Sequence, residues 1–312
     1  MLGALLHSTE NKNAALRLRE MVTVLRRHDI VHGLTPAKLR AIFEDLGPTF
    51  VKFGQIMSMR PDFLPTDYCD ELMKLQTAAR PLAFPVILSI VEQEYNREWN
   101  KVFRTIDSTP LGSASIAQAH RATLSSGEEV VIKVQRPGIH EIMRTDLTLM
   151  KRAATLIRLV SSDDVVDFRA LMDEMWNIAK QEMDFLIEAS HIEEFAHLNR
   201  DNPFVSCPRV LRDLSTQHIL VMEYIDGIPL DQTNALRAAG VNVTQIGRRL
   251  GENYAKQIIE DGFFHGDPHP GNIRIRGGNI VWIDLGMMGR LSNRDRTALR
   301  RAIWALATHD TF

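Results

Sequence analysis

Cysteine is nearly missing: Cys69 and Cys207 are the only two in 312 residues. That excludes a disulfide framework and a cysteine-built metal site, and it points to a reducing compartment. Charge of one sign is also missing. The 37 Lys and Arg against 39 Asp and Glu leave a formal net charge of −2, so nothing draws the chain as a whole to nucleic acid. No apolar run reaches the ~20 residues of a membrane span; the longest, such as 219–225, are strand-sized. Residues 1–6 are apolar but lack a basic lead-in and a cleavage site, and Glu10 and Glu20 oppose a transit peptide. There is no Gly-x-Gly-x-x-Gly. What is there, at 45 % hydrophobic, suffices for one large domain or two lobes. A helical pattern continues through 304–312 without cap or breaker, so the sequence is expected to be part of a longer chain.

The stretch that organises the rest runs from Phe263 to Gly286. It reads His265-Gly-Asp267-Pro-His269-Pro-Gly-Asn272, then a strand, Gly277-Gly278-Asn279, a strand, and Asp284-Leu-Gly286. Gly-Gly-Asn tolerates positive φ, as a tight hairpin requires. One loop and one strand end therefore bring Asp267, Asn272 and Asp284 together. Carboxylate and amide oxygens suit Mg²⁺, which shares its coordination with phosphate and water. Asp, Asn five residues on, then Asp before x-Gly is the protein-kinase order. Here Gly266 stands for the loop Arg and Leu285 for the Phe. An iron-type triad of His265, Asp267 and His269 is the competing reading. It needs a further distant ligand and leaves the Asn272–hairpin–Asp284 continuation unexplained.

Taken in order, residues 11–29 form a basic amphipathic helix, with Leu16, Leu18, Met21, Val22 and Leu25 against Arg17, Arg19, Arg26 and Arg27. It either lies on an anionic membrane surface or, as the plainer reading has it, packs its apolar stripe inward. Thr35-Pro36 opens a helix, Gly47-Pro48 punctuates it, and a second helix runs to about Met59. That helix carries Lys52, Gly54 and Gln55, with Lys52 and Gln55 on one face. Gly54 costs about 1 kcal/mol in mid-helix, which suggests close approach of another backbone, a ligand or a packed helix. Helices are predicted over 67–79 and 84–99, strands over 116–123 and 130–135 around a Ser125-Ser-Gly-Glu turn, and helices over 139–160 and 167–198. In Val130-Val-Ile-Lys133-Val an apolar strand carries a lysine, the kinase pattern for holding α- and β-phosphates. Before it, Gly112-Ser113-Ala114-Ser115 stands where kinases cover the phosphates, and small residues let backbone N–H groups approach them.

The acidic helix contains Glu182, Asp184 and Glu188. Asp184 and Glu188 are four apart and share a face; Glu182 and Asp184 point nearly opposite ways. Glu188 is the candidate partner of Lys133. Strands are predicted over 205–210 and 218–225, joined by a turn near Asp213. Met222-Glu223-Tyr-Ile225 then reads as a connector whose Glu223 carbonyl and Ile225 amide meet an adenine edge. Thr244 is expected to cap a helix to about Asp261. Arg294, Arg296, Arg300 and Arg301 give a basic last helix, read as a solvated face.

Together these pieces resemble the UbiB family of atypical kinases, also called AarF-domain kinases, from about Leu34 to Arg290. Lys52-Phe-Gly-Gln55 looks like the family's Lys-x-Gly-Gln motif and Glu182-Met-Asp184 like its Glu-x-Asp motif. Residues 265–272 look like its catalytic loop, and Asp284-Leu-Gly like its metal motif. Two departures stand out. The family's phosphate loop is typically Ala-Ala-Ala-Ser, whereas here it opens with Gly112, which loosens it; and His191 stands where the family often has Asn.

The resemblance implies an α+β, bilobal protein-kinase-like fold with a small β-sheet N-lobe and a mostly helical C-lobe. The boundaries expected are a helical extension over 1–102, an N-lobe over 103–225 and a C-lobe over 226–312. It implies ATP and Mg²⁺ as cofactors. Lys133 and residues 112–115 would hold phosphates, Glu188 orient Lys133, and Asp267 orient or deprotonate the acceptor, with Asn272 and Asp284 on the metal. The Lys52 helix, paired with Glu182 or Asp184, would cover the substrate side and disfavour proteins as acceptors. It further implies a link to isoprenoid quinone or other membrane lipid metabolism, and a cytoplasmic or peripheral location with membrane helices in relatives' C-terminal regions. The rivals are a small-molecule kinase of the aminoglycoside or choline type and a non-catalytic, nucleotide-sensing lipid binder.

Overall fold

The computed structural model describes residues 2–61, 63–75, 79–158 and 168–308. In chain order the helices are α1 (Leu2–Arg27), α2 (Pro36–Leu46), α3 (Pro48–Ser58), α4 (Thr66–Leu72), α5 (Phe84–Tyr95), α6 (Ile139–Arg158), α7 (Phe168–Glu182), α8 (Phe185–Leu198), α9 (Thr233–Ala238), α10 (Val243–Lys256) and α11 (Asn293–Thr308). The strands are β1 (Phe103–Ile106), β2 (Gly112–Ser113), β3 (Ala117–Leu124), β4 (Glu129–Gln135), β5 (Val205–Ser206), β6 (Ile219–Glu223), β7 (Ile228–Pro229), β8 (Phe263–His265), β9 (Ile273–Arg276), β10 (Asn279–Trp282) and β11 (Met288–Arg290). One sheet has the order β1-β3-β4-β6, with β2 added on β3; a second has the order β5-β10-β9-β7; β8 and β11 form a separate ladder. A small antiparallel sheet followed by helices and hairpins is the α+β class the resemblance implies.

The chain divides into two compact units: Met1–Arg97, Asp107–His120 and Lys133–Met183 form one, and Glu98–Ile106, Arg121–Ile132 and Asp184–Phe312 the other. In the first, the helix starts follow their caps. Thr35 accepts from the Lys38 N–H at 3.3 Å, and Pro36 and Pro48 occupy first-turn positions where no N–H is needed. Phe43, Phe50, Phe53, Leu72, Leu75 and Ile87 are buried. Arg17 grips the fully buried Asp146 with Nε at 2.6 Å and Nη2 at 2.9 Å, which ties α1 to α6. Gly54 packs against side chains: a Cβ there would stand 2.2 Å from Leu75 Cδ1 and 2.6 Å from Phe43 Cδ2. Close helix packing is therefore the reason for the glycine. The apolar stripe of α1 packs inward only in part, with Met21 and Leu25 half-buried. Val24 is buried, but Leu16, Leu18 and Val22 are exposed.

In the second unit the hairpin forms as read. Gly277 (φ 59°) and Gly278 (φ 80°) make the two-residue turn, with Asn279 paired to Arg276 as the first strand residue. Phe185, Phe195, Phe263, Trp282, Ile280 and Leu285 are buried around it. The basic residues of α11 are not a purely solvated face. Arg296 donates to the Glu260 carbonyl at 2.8 Å and Arg300 to the Ile259 carbonyl at 2.9 Å, satisfying the end of the turn that follows α10.

Several elements differ from expectation. The single helix over 167–198 is broken at Met183-Asp184. Asp184 is extended (φ −106°, ψ 98°) and caps α8 by accepting from the Leu186 N–H at 3.0 Å, so it shares no helical face with Glu188. Asp has a low helix propensity and a strong capping preference, and here the cap wins. Asn242, not Thr244, caps α10, accepting from the Gln245 N–H at 3.0 Å. The strand predicted over 205–210 shrinks to β5, which runs parallel to β10; only a bridge from Val210 to Met222 remains of the expected pairing, around a turn containing Asp213. The helix over 67–79 ends at Leu72, and β1 was not expected. Residues 76–78 and 159–167 lie outside the described residues, as does the end of the expected helix over 139–160.

Candidate active site

The sequence His265 to Asp284 is organised by one imidazole in the second unit. His265 ends β8, is 1 % exposed and stacks on Trp282 with centroids 4.7 Å apart. Its Nδ1 accepts from the Asp267 N–H at 3.1 Å, and its Nε2 donates to the Asp284 carbonyl at 2.6 Å. A carbonyl can only accept, so the ring is neutral and protonated at Nε2. Burial holds its pKa below the ordinary value, against the pull of the Asp284 carbonyl and the two aspartates. One ring thereby fixes the backbone of Asp267 and of Asp284, 17 residues apart in sequence. Asn272 closes the loop: its Nδ2 donates to the Asp267 carbonyl at 3.0 Å, which directs its amide oxygen away from that bond.

Asp284 Oδ1 accepts from the Gly286 N–H at 3.1 Å. A Cβ on Gly286 would stand 3.3 Å from that oxygen and 3.6 Å from Glu188 Oε2. The glycine thus lets a turn pass between two carboxylates, and Glu188, near the start of α8 and 4 % exposed, faces the Asp-Leu-Gly turn. His191, one turn further on, has Nδ1 3.1 Å from the Leu285 carbonyl, so the residue at the unusual position also secures that turn. The Asp284 carboxylate and the Asn272 amide oxygen sit on short loops, with room that a Cβ would fill, and oxygen donors of this kind could hold Mg²⁺. The iron-type triad does not fit. Both nitrogens of His265 are engaged by backbone, and His269 Nδ1 accepts from the Gly271 N–H at 3.0 Å as a turn cap. Among the described residues no group of three His, Cys, Asp or Glu is placed to hold a metal.

Behind His265 lies a buried amide network that sequence reading missed. Gln257 Oε1 accepts the His265 N–H at 3.0 Å, and Gln257 Nε2 donates to Asn253 Oδ1 at 2.8 Å. Asn253 Nδ2 donates to Asn199 Oδ1 at 2.8 Å, and Trp282 Nε1 donates to Asn253 Oδ1 at 3.3 Å. Tyr254 donates its hydroxyl to the His265 carbonyl at 3.0 Å. The signal available in sequence was Asn253 on α10 and Gln257 just past its end, amides at i, i+4 on the buried side of the helical stretch.

In the first unit, Lys133 lies on β4, half-buried between buried Ile132 and Val134. Gly112, Ser113, Ala114 and Ser115 lead into β3. The Ala114 N–H donates to the Ala117 carbonyl at 2.8 Å, and the Ser113 hydroxyl lies 3.2 Å from Gln118 Oε1, so neither group is directed outward. Gly112 needs no special space: a Cβ there would meet nothing within 4 Å, and its φ is not left-handed. Lys52 Nζ lies 2.5 Å from Glu182 Oε2, both side chains mostly buried at 14 % and 11 % exposure. Gln55 is half-buried on the same helix. The acid facing Lys52 is therefore Glu182, and Asp184 is the cap described above. Glu182 Oε1 is buried without a hydrogen-bond partner among the described residues.

At the predicted connector, in the second unit, β6 ends with Glu223. Its Oε1 accepts from Arg276 at 2.8 Å and its Oε2 from the Arg209 N–H at 3.2 Å, which pins the side chain to the flanking strands. Ile225 is buried.

Residues 74–312 match a family model described as the ABC1 atypical kinase-like domain. An uncharacterised protein from the hydrogenase 1 5′ region of Clostridium pasteurianum is 42 % identical over 96 % of this chain and 58 % of its own length. The chloroplastic Activity of bc1 complex kinase 8 of Arabidopsis thaliana is 38 % identical over 94 % of this chain and 38 % of its own. The chain thus spans about half the length of these curated relatives. A Mycobacterium tuberculosis protein solved with erythromycin superposes with a TM-score of 0.56 at 29 % identity, covering 76 % of this chain and 60 % of that one.

Proposed function

The chain belongs to the ABC1 atypical kinase-like family, and from that premise we propose that it binds ATP with Mg²⁺ and hydrolyses it or transfers its γ-phosphoryl group. The observation that carries this reading is the neutral His265 ring, which holds the backbones of Asp267 and Asp284 together while Asn272 is bonded back to Asp267. In this reading Asp267 orients the acceptor hydroxyl or water and takes its proton. Asn272 and Asp284 hold the metal, which when bound neutralises phosphate charge. Lys133 and residues 112–115 hold phosphates, Glu188 orients Lys133, and the Glu223 carbonyl and Ile225 amide meet the adenine edge. The test is a thermal shift with Mg-ATP. Wild type should be stabilised and Asp284→Asn should lose most of that stabilisation; an equal shift in both sinks the metal assignment.

The helical region supports a reading of the acceptor. Lys52 paired with Glu182 supports an extension that occupies a protein substrate's place, and so water or a small or lipidic acceptor rather than a protein. The exposed Leu16, Leu18 and Val22 beside exposed Arg19 and Arg26 on α1 support an anionic membrane surface as partner. Among the described residues no helix is long and apolar enough to cross a membrane. We place the activity in isoprenoid quinone or other membrane lipid metabolism. Phosphoryl transfer to a small molecule is the second reading, favoured by the Mycobacterium tuberculosis relative solved with erythromycin. Turnover of ATP with anionic liposomes and phenolic lipids, run beside turnover with a macrolide, separates the two.

A further inference from the structure

Arg136, the first residue after β4, reaches back under residues 113–116 in the first unit. Its Nε donates to the Ala114 carbonyl at 2.8 Å, and its Nη2 to the Ser113 hydroxyl at 2.7 Å and the Arg80 carbonyl at 2.9 Å. Its own N–H donates to the Ile116 carbonyl at 2.8 Å. The neighbouring contacts strengthen the same strap. The Ala79 N–H donates to the Ser113 carbonyl at 2.9 Å, and the Leu82 N–H to Gln118 Oε1 at 2.7 Å.

All the acceptors on this guanidinium are neutral dipoles. No carboxylate among the described residues pairs with it, although burial disfavours its charged form. This differs from Arg17, Arg40, Arg212 and Arg290, which each meet a carboxylate. A guanidinium keeps its charge under these conditions, and a partly desolvated cation without a counter-ion is unfavourable until an anion arrives. The carbonyl and hydroxyl it holds belong to the segment whose small residues suit phosphate.

We infer that Arg136 is a positioning residue for the polyphosphate of a nucleotide, fixing the 112–115 segment from behind and supplying the positive charge that the segment itself lacks. This rests on the proposed nucleotide site. A purely structural strap would affect all ligands of that site alike, whereas a charge acts in proportion to the phosphates present.

The experiment compares binding of ATP, ADP, AMP and adenosine to wild type, Arg136→Gln and Arg136→Lys by calorimetry, with melting temperature recorded for each. Arg136→Gln should weaken ATP about tenfold or more, a change of about 1.4 kcal/mol. It should weaken ADP less and AMP less again, and leave adenosine within about twofold. Arg136→Lys, which keeps the charge and loses the fork, should lie within about threefold of wild type for ATP. An equal loss for ATP and adenosine, or no loss for either, overturns the inference alone. Failure of wild type to bind ATP overturns the nucleotide reading and this inference with it. Should Arg136→Gln not fold, Arg136→Lys decides: an ATP-to-adenosine preference unlike that of wild type overturns the inference.

Discussion

His120, His191 and His265 are neutral junctions rather than charges, and burial holds all three below the ordinary value of 6.5. In His120, Nδ1 donates to the Asp107 carbonyl at 2.7 Å and Nε2 accepts from Gln118 Nε2 at 2.8 Å, so a second proton would set N–H against N–H. A histidine with a depressed folded-state pKa contributes stability fully above about pH 6.5 and loses it as pH falls below that value. The slope is at most about 1.4 kcal/mol per pH unit for each group. The melting temperature should therefore drop between pH 7.5 and 5.5. His120→Gln, which takes up no proton, should show a shallower drop; an identical pH profile would remove His120 from the account. Two glycines part company at this scale. Gly54→Ala gains about 1 kcal/mol of helix propensity, but its Cβ would overlap buried Phe43 and Leu75. Overpacking of about 1–3 kcal/mol should prevail and lower stability in urea. Gly112→Ala, with open space and ordinary φ, should instead stabilise by about 0.4–1 kcal/mol.

At the scale of elements, the pairing of α3 with the end of α7 rests on Lys52 and Glu182. Lys52→Met leaves a buried carboxylate whose other oxygen already has no hydrogen-bond partner among the described residues. Breaking such a pair should cost about 3 kcal/mol. The double variant Lys52→Met with Glu182→Met should recover most of that loss. A double-mutant cycle with no coupling would show the pair to be incidental. The start of α8 depends on Asp184. Asp184→Ala should cost about 1 kcal/mol through the lost cap and loosen the turn that presents Glu188, seen as faster amide exchange over 185–188.

At the scale of the whole molecule, each unit is assembled from three separate stretches of chain, so that β3 and β4 each supply residues to both. Neither unit can lose its strands without taking some from the other. One thiol lies in each: Cys69 is buried, and burial pushes the Cys207 thiol up to about 12. Neither should react with iodoacetamide at pH 8 in the native state, because the thiolate is the nucleophile. In a urea series both should become reactive at the same concentration. Labelling of one thiol well before the other would show that the units unfold independently.

Much of this was legible along the chain because it depends on local chemistry. Thr35-Pro36, Gly47-Pro48 and Gly277-Gly278 fix turns and caps through φ and missing donors. The spacing of Asp267, Asn272 and Asp284 fixes a loop and a hairpin. The order of Lys133, Glu188, Asp267 and Asp284 marks the family. Tertiary structure decided what depends on alternatives close in free energy. Asp184 could continue a helix or cap one, and it caps α8 where Phe185 enters the core. Val205 could pair with either neighbour, and β10 won. Which of Glu182 and Asp184 meets Lys52, the bonds of Asn253 to Asn199 and Trp282, and the bonds of Arg136 to the Ala114 carbonyl and Ser113 hydroxyl were undecided for a further reason. Each joins residues distant in sequence, and hydrogen-bond partners at such range are chosen by where the backbone arrives, not by spacing along the chain.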